Sequence, residues 1–133
     1  MPHDRGLAGH SDADVVLHAV CDAILGATGR GDIGTRFPNT AAEWKNADSR
    51  RLLAHVWRDV AGDGWSVVNL DITILAEEPK LSPHIPAMKR VIAEELAVSV
   101  DQVGIKATTS EGLGFVGRRE GIMASAVVLL ARR

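Results

Sequence analysis

Cys21 is the only cysteine in the chain. It can form no intrachain disulfide and no cysteine-based zinc site. A reducing compartment, the cytoplasm or the lumen of an organelle, suits such a chain best. Basic charge is not in excess either: 15 Lys and Arg against 17 Asp and Glu leave a net charge of −2. This balance argues against nucleic acid or an anionic membrane as the main partner, because both recruit basic patches. A compact anionic ligand needs only a few placed groups and stays open. No apolar run reaches the roughly 20 residues that span a bilayer, and the opening Met1-Pro2-His3-Asp4-Arg5-Gly6 has no signal-peptide character. Aromatic residues are scarce, and no basic residues interleave Trp44, Trp57 and Trp65. They are therefore expected to pack rather than to stack bases. Repeats, low-complexity tracts and linkers are absent. What remains is 133 residues, 46% hydrophobic, enough for one domain spanning 1–133 with its own core.

Periodicity organises this domain. Asp12 to Ala27 reads as a helix capped by Ser11 or Asp12, with Val16, Val20, Ala23, Ile24 and Ala27 on one face and Gly26 and Gly29 ending it. Arg30 to Trp44 is loop-like. Asp48 to Val60 reads as a second helix that buries Leu52, Val56 and Val60 beside Leu53 and Trp57. Trp65 to Ala76 alternates as a strand, with Val68, Leu70, Ile72 and Ile74 on one side. A third helix spans about Ile85 to Leu96, with Ile85, Met88, Ile92 and Leu96 on one side. Val103 to Thr109 and Gly121 to Ala131 read as strands. The order helix, helix, strand, helix, strand, strand predicts an α+β fold, a mixed sheet with helices packed on one face, in a ferredoxin-like elaboration.

Four constellations could carry chemistry. His10-Ser11-Asp12-Ala13-Asp14 leads into His18 and Asp22; Asp14, His18 and Asp22 share a helix face, and the helix N-terminus at His10 and Ser11 suits a phosphate. His18 could ligate zinc. A capped helix with a polar surface stripe accounts for these residues equally well. Gly31-Asp32-Ile33-Gly34 followed by Phe37-Pro38-Asn39-Thr40 could let backbone approach a ligand, with Asp32 on a hydroxyl or a metal, or could be a plain surface loop. Ala76-Glu77-Glu78-Pro79-Lys80-Leu81-Ser82 sits at a strand end and could cradle a nucleotide, or serve as a Pro-rich connector. Lys106-Ala107-Thr108-Thr109-Ser110-Glu111 and the following Gly112-Leu113-Gly114-Phe115-Val116-Gly117-Arg118 combine hydroxyls, a carboxylate and an arginine. That mixture favours phosphates with a divalent cation on Glu111 over a plain strand end and turn. His55 is expected to be a core or surface histidine.

Together, in this order, these motifs resemble the cyclodiphosphate synthases of the non-mevalonate isoprenoid pathway. The resemblance runs over essentially the whole chain. It is carried by His10 to Ala19, Gly31 to Gly34, Phe37 to Thr40, Lys45-Asn46-Ala47-Asp48-Ser49, Pro79-Lys80, Pro83-His84-Ile85, Lys106 to Thr109 and Leu113-Gly114-Phe115. It implies a homotrimer with sites shared between subunits. The implied substrate is 4-diphosphocytidyl-2-C-methyl-D-erythritol 2-phosphate, with CMP as leaving group, zinc and Mg²⁺ or Mn²⁺ as cofactors, and a cytoplasmic location. By resemblance, His10 and Thr109 are catalytic, and His10 and Ser11 contact phosphate. Asp32, Ile33 and Gly34 meet the erythritol portion, and Phe37, Pro38, Asn39, Thr40 and Ala41 form a substrate loop. Ala76, Glu77, Glu78, Pro79, Lys80, Leu81 and Ser82 form the cytidine pocket. Thr108, Thr109 and Ser110 contact the diphosphate, and Phe115 and Arg118 complete the site. His18 is one zinc ligand and Glu111 the Mg²⁺ ligand.

Departures from the family pattern accompany the match. Asn39 stands for a usual Asp, Ala13 for a common Gly and Gly112 for a common Lys. The family opens with a strand bearing Gly-x-Asp-x-His, the source of two further zinc ligands, and nothing here matches it. The chain is therefore expected to be N-terminally incomplete, with an unfinished zinc site. A zinc-less relative that binds cytidine nucleotides or co-assembles with full-length subunits is the alternative.

Overall fold

The computed structural model describes residues 2–36, 49–76, 82–109 and 122–133, with side chains left out of the description at 2–12 and at Ser82. Helix α1 runs over Pro2–Ala27, one helical turn α2 over Ile33–Arg36, and helix α3 over Ser49–Gly62. Strand β1 (Trp65–Leu75) follows, then a 3₁₀ turn (Ser82–His84), helix α4 (Ile85–Leu96), a second 3₁₀ turn (Val100–Gln102), and strands β2 (Val103–Thr108) and β3 (Met123–Arg132). Among the described residues the sheet has three strands in the order β2-β1-β3, parallel on one side of β1 and antiparallel on the other. The mixed α+β sheet expected from the element order is thus present.

Burial explains why these segments hold their shapes. Helix α1 buries Val16, Leu17, Val20, Cys21, Ile24 and Leu25, packing on both β3 and α3. The expected face was narrower and turned differently: Ala23 is half-buried and Ala27 exposed. A helix wedged between a sheet and another helix needs two adjacent apolar rows, and the row of Leu17, Cys21 and Leu25 is the second. The helix also extends N-terminally of the expected start, back to Pro2, so positions 10–12 fall inside it: neither Ser11 nor Asp12 caps it, and His10 and Ser11 do not stand at a helix N-terminus as expected. At its other end Gly29 takes φ +70°, a left-handed conformation that glycine adopts without a Cβ clash. There the Arg30 N–H donates to the Leu25 carbonyl at 2.8 Å.

Helix α3 buries Leu52, Leu53, Val56, Trp57 and Val60, the stripe the periodicity predicts. Helix α4 inserts Ile92, Ala93 and Leu96, while Ile85 and Met88 are only half-buried. Arg50 of α3 ties the two helices by donating to Glu95 and, at 2.6 Å, to Glu94.

In β1 the alternation breaks once. Val67 pairs with Leu130 and Asn69 with Leu129, so Val68 has no opposite residue and forms a bulge. Val67 is therefore buried and Val68 exposed, the reverse of the expected phase, whereas Leu70, Ile72 and Ile74 face the core as expected. Gln102 Nε2 donates to the carbonyls of Val67 and Val68 at 3.3 and 3.0 Å, supplying the partners that the bulge takes from the ladder.

The helices lie on one face of the sheet. On the other, β3 presents Met123, Val127 and Leu129 to solvent, and Lys106 of β2 donates to both Asp71 oxygens at 2.7 Å. Gly104 makes room for that carboxylate: a Cβ there would lie 3.2 Å from Asp71 Oδ1.

Candidate functional site

Two neighbouring strand ends form the first half of the candidate site. Because β1 and β2 are parallel, their C-terminal ends emerge on one edge, where Leu75 pairs with Thr108. The ladder carries on one step beyond β1, with the Ala76 N–H donating to the Thr108 carbonyl at 3.0 Å. Ala76, first residue of the expected cytidine pocket, is thereby fixed against Thr108 and Thr109, the expected diphosphate contacts. Thr108 and Thr109 are exposed. The carboxyl ends of parallel strands are where open α/β sheets bind ligands, since the chain must turn there and its backbone groups face outward. Segments far apart in sequence meet at this edge.

The second half is built on α1. His18 and Asp22 are four residues apart and so lie on one helix face. His18 Nε2 lies 3.2 Å from the hydroxyl of Ser49, a buried polar residue at the start of α3 whose hydroxyl needs such a partner. Asp22 Oδ1 accepts the Ile33 N–H at 2.8 Å. Within the same turn Asp32 Oδ1 accepts the Thr35 N–H at 2.7 Å, and this bond holds the Asp32 carboxyl below the ordinary aspartate range. Arg36 reaches Asp59 of α3 at 3.7 Å. The segment Asp32 to Gly34 is thus short, capped and tied to α1.

Of the residues singled out from sequence, Asp32, Ile33 and Gly34 are together on this turn, and Ala76, Thr108 and Thr109 are together at the sheet edge. The side chains of His10, Ser11 and Ser82 lie outside the described residues. So do Phe37, Pro38, Asn39, Thr40, Ala41, Glu77, Glu78, Pro79, Lys80, Leu81, Ser110, Glu111, Phe115 and Arg118. His18 is described and exposed, and its Nε2 faces Ser49. Among the described residues no three histidine, cysteine, aspartate or glutamate side chains gather as a metal site would require. Sequence reasoning missed the Ser49 contact, although a serine just ahead of an apolar helical stripe signals a helix start. It also placed Asp22 only on a polar stripe, when its carboxylate bonds the Ile33 amide. Trp57 packs in the core as expected, and Trp65 lies under Arg132, whose guanidinium carbon is 5.2 Å from the ring centre.

Comparisons with known proteins bear on the family and the fold. A family model described as the YgbB family matches residues 1–131. Over 132 residues the chain is 56% identical to the 2-C-methyl-D-erythritol 2,4-cyclodiphosphate synthase of Neisseria gonorrhoeae, covering 99% of this chain and 82% of that protein. The protein of the same name from Bacillus velezensis is also 56% identical, with coverages of 99% and 84%. Among solved structures, the bifunctional IspDF of Campylobacter jejuni superposes with a TM-score of 0.84 at 41% identity, over 90% of this chain and 32% of that one. The CDP complex of IspF from Plasmodium falciparum gives 0.79 at 31% identity, over 90% and 71%.

Proposed function

The chain belongs to the YgbB family of 2-C-methyl-D-erythritol 2,4-cyclodiphosphate synthases, and from that premise we propose the reaction it carries out and the residues that serve it. The substrate is 4-diphosphocytidyl-2-C-methyl-D-erythritol 2-phosphate. An oxygen of its 2-phosphate attacks the β-phosphorus. The bond from that phosphorus to the bridging oxygen breaks, and CMP leaves with the oxygen and its electron pair. The product is the 2,4-cyclodiphosphate. Both reacting groups belong to one molecule, so the protein's task is to fold the substrate into line and to offset charge on phosphoryl oxygens.

The sheet edge is the observation that carries this proposal. The backbone at Ala76 to Ser82 reads the cytosine, while Thr108, Thr109 and Ser110 donate to the diphosphate beside it. The Ala76–Thr108 hydrogen bond supports that pairing of roles. His10 and Ser11 take the 2-phosphate, the turn Asp32 to Gly34 takes the erythritol, and Phe37 to Ala41, Phe115 and Arg118 surround the rest. Mg²⁺ or Mn²⁺ on Glu111 would neutralise diphosphate charge when bound, and His18 is assigned to zinc by resemblance alone.

The described contacts fall into two groups, on the sheet edge and on α1. Sites completed between subunits of a homotrimer suit such a division, and the exposed apolar residues of β3 suit a subunit interface. A cytoplasmic location suits a chain whose single cysteine can form no intrachain disulfide.

Thermal melts with Mg²⁺ test the pocket. CDP and CMP should raise the melting temperature and AMP should not, since a ligand that binds only the native state stabilises it by mass action. Equal stabilisation by AMP and CMP removes the cytidine assignment.

A further inference from the structure

We infer that Asp22 is a positioning residue that sets the backbone of the Asp32 to Gly34 turn for the erythritol end of the substrate. The inference rests on the assignment of that turn proposed above. The Asp22 carboxylate crosses from α1 and accepts the Ile33 amide at 2.8 Å. Ile33 is the middle residue of the turn, so this bond fixes the peptide plane between Asp32 and Ile33. The Asp32 carboxylate is itself engaged with the Thr35 amide, and the Asp32 carbonyl accepts the Arg36 N–H at 2.9 Å. These bonds orient the remaining polar atoms of Asp32 while Asp22 holds the next amide. Without Asp22, the turn keeps its internal cap but loses its attachment to α1 at this point, and the cap alone does not determine where the turn sits relative to the helix. Two other ties remain, the Ile33 side chain packed against the core and Arg36 reaching Asp59 of α3 at 3.7 Å, and neither holds the Ile33 amide.

Calorimetric binding of the methylerythritol substrate and of CDP to the full chain separates this role from general folding. Asp22→Ala should weaken substrate binding roughly five- to tenfold, the net scale of one ordinary hydrogen bond, and leave CDP binding unchanged. Asp22→Asn should recover wild-type affinity, because its amide oxygen still accepts the Ile33 N–H. Asp22→Ser is polar but too short to reach that amide; it should behave like the alanine variant and serves if the alanine variant fails to fold. Unchanged substrate affinity in the alanine or serine variant overturns the inference, as does equal loss of substrate and CDP. A wild-type chain that binds neither ligand overturns the functional proposal itself, whereas one that binds CDP but not the substrate removes only the erythritol assignment.

Discussion

Cys21 shows how little a residue's identity says until its surroundings are known. Counting cysteines excluded disulfides and thiolate metal sites, but the count does not show how deeply this thiol is buried. Burial, with the negative charge of Asp22 adding to it, pushes the Cys21 thiol up to about 12. Iodoacetamide at pH 8 should therefore leave the folded chain unlabelled and label it in denaturant, as read by mass spectrometry; rapid labelling of the native chain contradicts the burial. The linkage has a definite sign. The unfolded thiol ionises near its ordinary 9.0, while the folded one keeps its proton up to about 12. Stability from this group is complete below pH 9 and is lost as pH rises through that window. Asp32 is a second case. Sequence singled it out as a ligand-facing carboxylate, and the structure shows it capping its own turn. Short carboxylates serve caps and ligands alike, so residue type and spacing cannot separate the two.

At the scale of elements, most of what buries apolar surface was legible. The stripes of α3 and the core side of β1 from Leu70 to Ile74 follow directly from periods of 3.6 and 2. The bulge at Val68 was not legible, because Val67 and Val68 are chemically identical and only the pairing with β3 and the reach of Gln102 decide which one turns inward. The width of the α1 face was hidden for a similar reason: its two partners come from sequence far away. The bulge makes a clean prediction. Val67→Thr places a hydroxyl in the core and should cost about 1–3 kcal/mol, whereas Val68→Thr should stay within about 0.5 kcal/mol. Urea unfolding of both variants reads the difference, and equal costs contradict the register.

For the whole molecule, the resemblance told more than periodicity, since the order of several weak motifs identifies a family where no single motif does. Its implied trimer is testable on the face that the helices leave open. Val127 and Leu129 are 70% and 56% exposed there. Light scattering should give the mass of three chains, and Leu129→Lys should shift it toward one, because the interface would then bury a charge without a partner. A wild-type monomer at micromolar concentration contradicts the trimer. The most direct measurement of the central claim is the fate of the substrate itself. Incubated with 4-diphosphocytidyl-2-C-methyl-D-erythritol 2-phosphate and Mg²⁺, the protein should release CMP and form the cyclic diphosphate one for one, followed by phosphorus NMR. CMP release with an uncyclised product, or CDP binding with the substrate left intact, contradicts it.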